Sequence, residues 1–117
     1  MQLVDRKTFL TLPAGTVYAK YINHECGSTA IKQATVADND WTYTPLDTLS
    51  FIDAEDDGDL FNLLLELEPG ASIDTEMENS YRDGLFDKED KFLIYSQDDV
   101  KKVIDLLTQS LASTANK

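Results

Sequence analysis

Hydrophobic and polar residues alternate with a period of two in several short segments of the chain, which is the pattern of a half-buried β-strand. Residues 16–22 and 29–36 are rich in β-branched and aromatic side chains, and residues 41–44 alternate again. Short turns separate these three segments, so we predict a curved antiparallel meander. A further apolar segment, residues 91–95, predicts another strand.

Three segments carry the apolar spacing or the capping residues of helices. Asp5 precedes a short predicted helix over residues 6–10, because its carboxylate can accept the amide protons of a first turn. Leucine and phenylalanine cover nearly the whole circumference of residues 58–67, which predicts a helix that is buried or partly an interface. Ser96 and Asp99 form a shortened capping box before an amphipathic C-terminal helix. The apolar positions of that helix are Val100, Val103, Ile104, Leu107 and Leu111.

Two stretches of the second half have mixed patterns. Residues 49–52 form a short apolar run with strand-like character. The Asp-Gly dipeptide at 83–84 is typical of a tight turn, so we predict extended arms at residues 76–82 and 85–86.

A length of 117 residues predicts one domain. A domain of this size buries roughly two-thirds of the surface that its unfolded chain exposes, which supports one modest core. We therefore predict a single α+β domain over residues 1–112 with a mainly antiparallel sheet of four to six strands. A short N-terminal helix, a buried middle helix and the amphipathic C-terminal helix complete it, and residues 113–117 are expected to fray.

The acidic residues are concentrated in one part of the chain. Residues 48–117 hold 17 of the 22 Asp and Glu but only 6 of the 10 Lys and Arg, whereas the first 47 residues are almost neutral. A field of one sign repels nucleic acid and anionic membranes, and it attracts cations or basic protein surfaces. We therefore expect no direct nucleic-acid partner, no membrane partner, and a protein partner with a basic surface.

The acids between residues 74 and 90 are the candidate partner-binding residues. Asp74, Glu76 and Glu78 alternate, so on a strand they would lie on one face, about 6.6 Å apart. Phosphates along one DNA strand repeat at a similar spacing, so such a face would mimic DNA in the basic groove of a nuclease or repressor. A solvated face that only keeps the protein in solution is the alternative interpretation. The full candidate set is Asp74, Glu76, Glu78, Asp83, Asp87, Glu89 and Asp90.

A second acidic run, residues 53–59, follows the spacing of a calcium-binding loop over its first eight positions. The twelfth position is Leu64 where that loop has a bidentate glutamate. We favour the interpretation that these acids cap the following helix and stabilise its dipole. The candidate metal ligands are Asp53, Glu55, Asp57 and Asp59.

No residue pattern specific to catalysis is found. His24 is the single histidine, and a zinc site needs four protein ligands or three and a water, so we interpret His24 and Cys26 as turn residues. No nucleophile accompanies His24, and the five glycines form no phosphate-binding loop. The aromatic residues of the meander are better explained by core packing than by base stacking. We predict a protein that is not an enzyme and needs no cofactor.

The segment FLTLPAGTVYAKY (residues 9–21), together with DGDLF (57–61) and RDGLFD (82–87), resembles small uncharacterised proteins encoded by tailed bacteriophages and prophages. The resemblance brings no known catalytic residues. It implies an accessory gene product that acts in the bacterial cytoplasm during infection, and proteins of this kind often bind and redirect host proteins. A single cysteine is compatible with that reducing compartment.

The leading hypothesis is a non-enzymatic accessory protein that binds a host or phage protein through residues 53–59 and 74–90. Inhibition of a nucleic-acid-handling enzyme by DNA mimicry is one form of it. Two alternatives stay open. The first is a divalent-cation-binding domain at residues 53–59. The second is a homo-oligomeric structural component that uses exposed leucines of residues 58–67 or of the C-terminal helix.

Overall fold

An open antiparallel sheet of six strands and four helices form a single small α+β domain in the computed structural model, which describes residues 1–115. The predicted fold class is confirmed, with a sheet at the upper end of the expected four to six strands. In chain order the elements are β1 (Gln2–Asp5), α1 (Arg6–Leu10), β2 (Val17–Ile22), β3 (Glu25–Val36), β4 (Asp40–Pro45), α2 (Thr48–Phe51), α3 (Asp57–Leu65), β5 (Tyr81–Arg82), β6 (Lys91–Ile94) and α4 (Gln97–Thr114).

The strands lie in the spatial order β1-β6-β2-β3-β4-β5, and each neighbouring pair is antiparallel. β2, β3 and β4 form the predicted meander. Asn23 and His24 connect β2 to β3 with φ angles of 53° and 65°, as in the two-residue hairpin turns whose twist matches that of the strands. Cys26 therefore lies in β3 and not in the turn, because this connection is shorter than predicted.

β6 is inserted between β1 and β2, which brings distant parts of the chain together. Val4 on β1 pairs with Phe92 on β6, and Tyr18 on β2 pairs with Ile94. The sequence did not predict β1, because a four-residue strand with one half-buried side chain shows no clear alternation. Residues 2–5 form a strand because they pair with β6.

The core lies on one face of the sheet, beneath α1. Phe9 of α1 is fully buried, and its ring stacks on that of Phe92 with the centroids 4.1 Å apart. Tyr18 and Trp41 meet Phe9 edge-on at 4.6 and 4.9 Å, and Trp41 Nε1 donates to the Tyr18 hydroxyl at 2.9 Å. These contacts confirm that Tyr18 and Trp41 are core residues.

Side chains cap both ends of α1. Asp5 accepts a hydrogen bond from the Thr8 amide at 2.8 Å, as predicted. At the other end the fully buried Lys32 donates from Nζ to three backbone carbonyls between Phe9 and Leu12, at 2.6 to 3.2 Å. Burial lowers the pKa of Lys32, and the three carbonyl oxygens stabilise its ammonium in the absence of water.

The prediction of a buried middle helix is wrong. α3 has no fully buried residue, and Phe61 and Leu65 are 62% and 67% exposed. An all-round apolar pattern indicates burial only where other elements surround the helix, and here the sheet and α1 form the core without α3. Phe61, Leu64 and Leu65 therefore remain exposed, whereas Leu60 and Leu63 are half-buried.

The strand-like segments around α3 also differ from prediction. Most of residues 49–52 belong to α2, because the Asp47 carboxylate accepts the Ser50 amide proton and caps a helical turn. The arm predicted at 76–82 is a strand only in β5, and residues 85–86 are not a strand.

α4 begins with the predicted capping box. Ser96 Oγ accepts the Asp99 amide proton at 3.0 Å, and the Asp99 carboxylate accepts the Ser96 amide proton at 2.9 Å. The hydrogen bond from the Ser96 amide lowers the pKa of Asp99 to about 2, together with the amino group of Met1, whose nitrogen lies 2.9 Å from Asp99 Oδ2. The helix extends to Thr114, into the predicted tail 113–117, whose residues 116 and 117 lie outside the described part.

Candidate binding site

Two of the predicted partner-binding acids, Asp83 and Asp90, are buried in an ion cluster. Lys20 Nζ lies 2.7 Å from Asp83 Oδ1 and 3.1 Å from Asp90 Oδ2, and Arg6 Nη1 lies 3.9 Å from an oxygen of each carboxylate. Burial disfavours the charged form of Lys20, but the hydrogen bonds from Lys20 to Asp83 and Asp90 outweigh it and raise its pKa. Both carboxylates are therefore partners of the chain's own cations.

A further buried acid, Asp40, holds β5 and the turn after it against β4. Its carboxylate accepts hydrogen bonds from Arg82 Nε and from the Gly84 amide. Burial opposes ionisation of Asp40, but these hydrogen bonds outweigh it and lower the pKa of Asp40. The hydrogen bonds from Arg82 and Gly84 also position the neighbouring Tyr81, whose ring centroid lies 6.2 Å from that of Tyr43.

The acidic segment, residues 53–78, contains ten Asp and Glu and no Lys, Arg or His. Nine of these ten acids are exposed. Within the part of the chain that the structure describes, no ion pair involves any of them. The stretch without a basic residue or histidine is longer still, because it runs from residue 33 to residue 81. The acidic segment therefore presents charge of one sign without internal compensation.

Asp74 and Glu76 lie in an extended part of the acidic segment. The chain at Thr75 pairs antiparallel with the chain at Ile52, through backbone hydrogen bonds of 2.9 and 2.7 Å on either side. In an extended strand the residues before and after a given residue point to the same face. Asp74 and Glu76, which flank Thr75, therefore lie on one side. Glu78 follows, and its amide donates to Glu76 Oε1 at 3.1 Å.

Asp87 and Glu89, the other two predicted partner-binding residues, are exposed in the loop before β6. The Asp87 carbonyl accepts a hydrogen bond from Arg6 at 3.3 Å, and its carboxylate accepts the Glu89 amide proton at 3.0 Å. The seven predicted residues thus occupy three environments. Three lie in the acidic segment, two lie in this loop, and two lie inside the ion cluster.

The predicted calcium loop forms the start of α3. Asp56 accepts the Asp59 amide proton at 2.7 Å, and Asp59 accepts the Glu55 amide proton at 2.9 Å. Among residues 1–115, no three His, Cys, Asp or Glu side chains form a group that could hold a metal ion. The structure therefore does not bring together the candidate ligands Asp53, Glu55, Asp57 and Asp59.

His24 lies in the turn of the β2–β3 hairpin, and Cys26 lies two residues later, near the start of β3. His24 Nδ1 is 2.9 Å from the Tyr21 hydroxyl, and Cys26 is exposed on β3. This local pair gives His24 a hydrogen-bonding partner from its own hairpin, in keeping with a turn residue.

A cleft of about 610 Å³ lies between the core face of the sheet and the segment that carries α2 and the start of α3. Tyr18, Tyr43 and Tyr81 provide its aromatic walls, and Lys20 lies at the end that borders the ion cluster. The period-two pattern of β2 places Tyr18 and Lys20 on one face, but no local signal indicates Tyr81, which is brought in by the pairing of β4 with β5. The acids that line the cleft are Asp47, Glu55, Asp56, Asp57 and Asp83.

Large apolar side chains are exposed on α3 and α4. Within residues 1–115, only six hydrophobic residues and Pro45 are buried, so much of the apolar surface of the chain faces outward. None of the described helices has the length and apolarity needed to cross a membrane. The exposed apolar residues of α4 are Val103, Ile104, Leu106, Leu107 and Leu111.

The described side chains are suited to binding. The ion cluster neutralises its own cations, whereas the acidic segment and the cleft offer carboxylates, aromatic rings and exposed apolar groups. Such a combination can attract and hold a cationic surface. Comparisons with known proteins leave the family open: no protein-family model, no curated protein and no solved structure matches this chain.

Proposed function

We propose that this chain is a non-enzymatic bacteriophage accessory protein that binds a basic surface of a host or phage protein in the bacterial cytoplasm. The acidic segment is the contact surface. The observation that carries the proposal is its charge: ten carboxylates without a basic residue among them, and none of them paired within the described residues. A field of this kind steers a basic partner toward the segment and repels nucleic acid.

Exposed apolar side chains accompany the carboxylates in the same segment. Phe61, Leu65 and Met77 are 62%, 67% and 53% exposed. Interfaces commonly combine an apolar centre, where most of the binding energy resides, with a polar rim that governs encounter and specificity. The expected partner surface is therefore basic with an apolar patch, and not uniformly charged.

DNA mimicry is the sharper form of the proposal. The extended backbone around Thr75 supports the alternation on which it rests, because it places Asp74 and Glu76 on one side. A nuclease or repressor that grips successive phosphates would offer a matching row of basic side chains. Such a partner would release the protein when duplex DNA is added, whereas a partner without a nucleic-acid groove would retain it.

Neutralising the extended row tests the proposal. In the variant Asp74→Asn, Glu76→Gln, Glu78→Gln, we expect capture of partners from a bacterial lysate at low salt to fall by about tenfold or more, because rim charges control encounter. The fold should be unaffected, because all three side chains are exposed. Capture is measured by quantitative mass spectrometry.

The matched control is Glu25→Gln, Asp38→Asn, Asp105→Asn, which removes three exposed acids outside the acidic segment. This control changes the net charge by the same amount as the test variant, and it should leave capture within about twofold of that of the parent protein. Equal losses in both variants would show that total charge acts and not this segment, and full capture by the first variant would overturn the proposal.

A second candidate function is self-assembly through α4. Val100, Ile104, Leu107 and Leu111 follow the alternating three- and four-residue spacing of a coiled-coil seam, and the last three are more than half exposed. α4 carries three acids against two lysines, so its charge is nearly balanced in a chain of net charge −12. Two copies would therefore repel one another only weakly at this helix.

Replacing Leu107 with asparagine tests self-assembly. If α4 joins copies of the chain, Leu107→Asn should convert the assembly to monomers, because it places an amide in the apolar seam. Leu106→Asn is a matched control, since both leucines are 66% exposed and Leu106 lies off the seam. The molar mass is measured by light scattering, and a monomeric parent protein at high concentration would exclude this function.

A further inference from the structure

We propose that the cleft between the sheet and the start of α3 binds a guanidinium or primary ammonium group. The inference rests on the proposed function for the origin of that group, which would be an arginine or lysine side chain of the basic partner. A free polyamine carries the same chemistry.

The lining carries a strong excess of negative charge. Among residues 1–115, five acids line the cleft against one base, Lys20. That base is itself compensated, because its ammonium lies 2.7 Å from Asp83 and 3.1 Å from Asp90, and Asp90 does not belong to the lining. The other four lining acids form no ion pair within residues 1–115, so a cationic ligand gains more than a neutral or anionic one.

The carboxylates of two of the lining acids have no partner among residues 1–115. Asp47 caps α2, Asp56 caps α3 and Asp83 pairs with Lys20. In contrast, the side chains of Glu55 and Asp57 have neither a hydrogen bond nor an ion pair within residues 1–115, and both are exposed. We assign these two carboxylates as the acceptors for the incoming cation.

Aromatic rings provide the second element of the site. Tyr43 is half-buried and Tyr81 is 45% exposed, and their ring planes are inclined by 41°. A cation within about 6 Å of the centroid of either ring is attracted by its π face. The cleft volume of about 610 Å³ lies within the range of small-ligand sites.

The same chain already binds its own cations by this combination of groups. Arg6 and Lys20 lie 4.8 and 5.6 Å from the centre of the Trp41 ring, and both approach Asp83 and Asp90. An aromatic face with flanking carboxylates is thus a stable arrangement for a cation on this side of the sheet. The cleft also combines aromatic rings with carboxylates, and Lys20, its one lining cation among residues 1–115, is already paired with Asp83 and Asp90.

The test uses two small probes, spermidine and a capped tripeptide with a central arginine, titrated by calorimetry. We expect the double variant Glu55→Gln, Asp57→Asn to bind either probe about tenfold more weakly, since it removes two charged acceptors. Tyr81→Leu should weaken binding severalfold through loss of a cation–π face. The matched control is Glu25→Gln, Asp105→Asn, which makes the same charge change at two exposed acids outside the cleft and outside the acidic segment, and it should leave affinity within about twofold.

Binding of the tripeptide alone supports a partner side chain as the source, and equal binding of spermidine supports a free polyamine. Absence of binding for both probes overturns the inference. Equal weakening in the cleft variant and the control overturns it too, because general attraction to an acidic protein would then explain the data. Neither result changes the loss of lysate capture expected for the variant Asp74→Asn, Glu76→Gln, Glu78→Gln. Either result would therefore contradict the cation site in the cleft without contradicting the proposed function.

Discussion

Replacing Phe9 with alanine is expected to lower the free energy of unfolding by about 3 to 5 kcal/mol, the largest effect of any substitution considered. Phe9 is fully buried and touches the three other large aromatic rings of the core, Tyr18, Trp41 and Phe92. Alanine leaves a cavity among rigid rings that cannot collapse into it. Urea unfolding followed by tryptophan fluorescence measures the loss, since Trp41 is the single tryptophan.

The control for Phe9→Ala is Phe61→Ala. Phe61 lies on α3 and is 62% exposed, so its removal should change the free energy of unfolding by about 0.5 kcal/mol or less. Similar losses in the two variants would contradict the placement of the core on the α1 side of the sheet. They would also show that α3 is buried after all, as its sequence pattern predicts.

Replacing Lys20 with methionine should cost about 3 kcal/mol or more at neutral pH. The substitution retains most of the aliphatic stem but removes the ammonium that pairs with Asp83 and Asp90 at 2.7 and 3.1 Å. Both carboxylates are almost fully buried, and Arg6 alone would remain near them at 3.9 Å. Chemical denaturation measures this loss as well.

The pH dependence of stability provides a second readout of the same pair. Because folding raises the pKa of Lys20 above its ordinary value of 10.5, the stabilisation is complete below that value and is lost as the pH rises through the folded-state pKa. The difference between the parent protein and Lys20→Met should therefore narrow above that pH. Lys88→Met, a change at an exposed lysine, should cost about 0.5 kcal/mol or less at any pH, and a constant difference for Lys20→Met would contradict the ion cluster.

The ion cluster links stability to the candidate site. Lys20 belongs to both, because it pairs with two buried acids and also lines the cleft. Asp40 contributes from the other side by holding β5, and with it Tyr81, against β4. The aromatic walls of the cleft are therefore positioned by buried polar contacts of a rigid sheet and not by the loops that carry the exposed acids.

The parts of the fold that sequence predicts well are those with local signals. The meander follows from the period-two patterns of β2 to β4, and α4 follows from its capping box and apolar spacing. The sequence does not predict β1, and it predicts β5 only as the end of a longer extended arm at 76–82, because four- and two-residue strands are determined by partners far along the chain. The prediction that α3 is buried fails for a related reason, since an apolar pattern does not show whether another element covers the helix.

The candidate site, like the fold, has residues that a local pattern predicts and residues that it does not. Exposure of Asp74, Glu76 and Glu78 agrees with what an uncompensated acidic run implies. Asp83 and Asp90 belong to the same acidic stretch of sequence, yet they are buried because Lys20 and Arg6, more than 60 residues earlier, lie opposite them in the folded sheet. Pairing across that distance leaves no local trace, and the same holds for the meeting of Tyr43 with Tyr81.

The most direct test of partner binding through the acidic segment is capture from a bacterial lysate at increasing salt, with partners identified by mass spectrometry. We predict a specific basic protein that is retained at about 50 mM salt and largely lost by about 300 mM, because screening shortens the range of the acidic field. A nucleic-acid-handling enzyme that duplex DNA also displaces would support the mimicry form. Capture that does not change with salt, or no specific partner at any salt, would contradict the account.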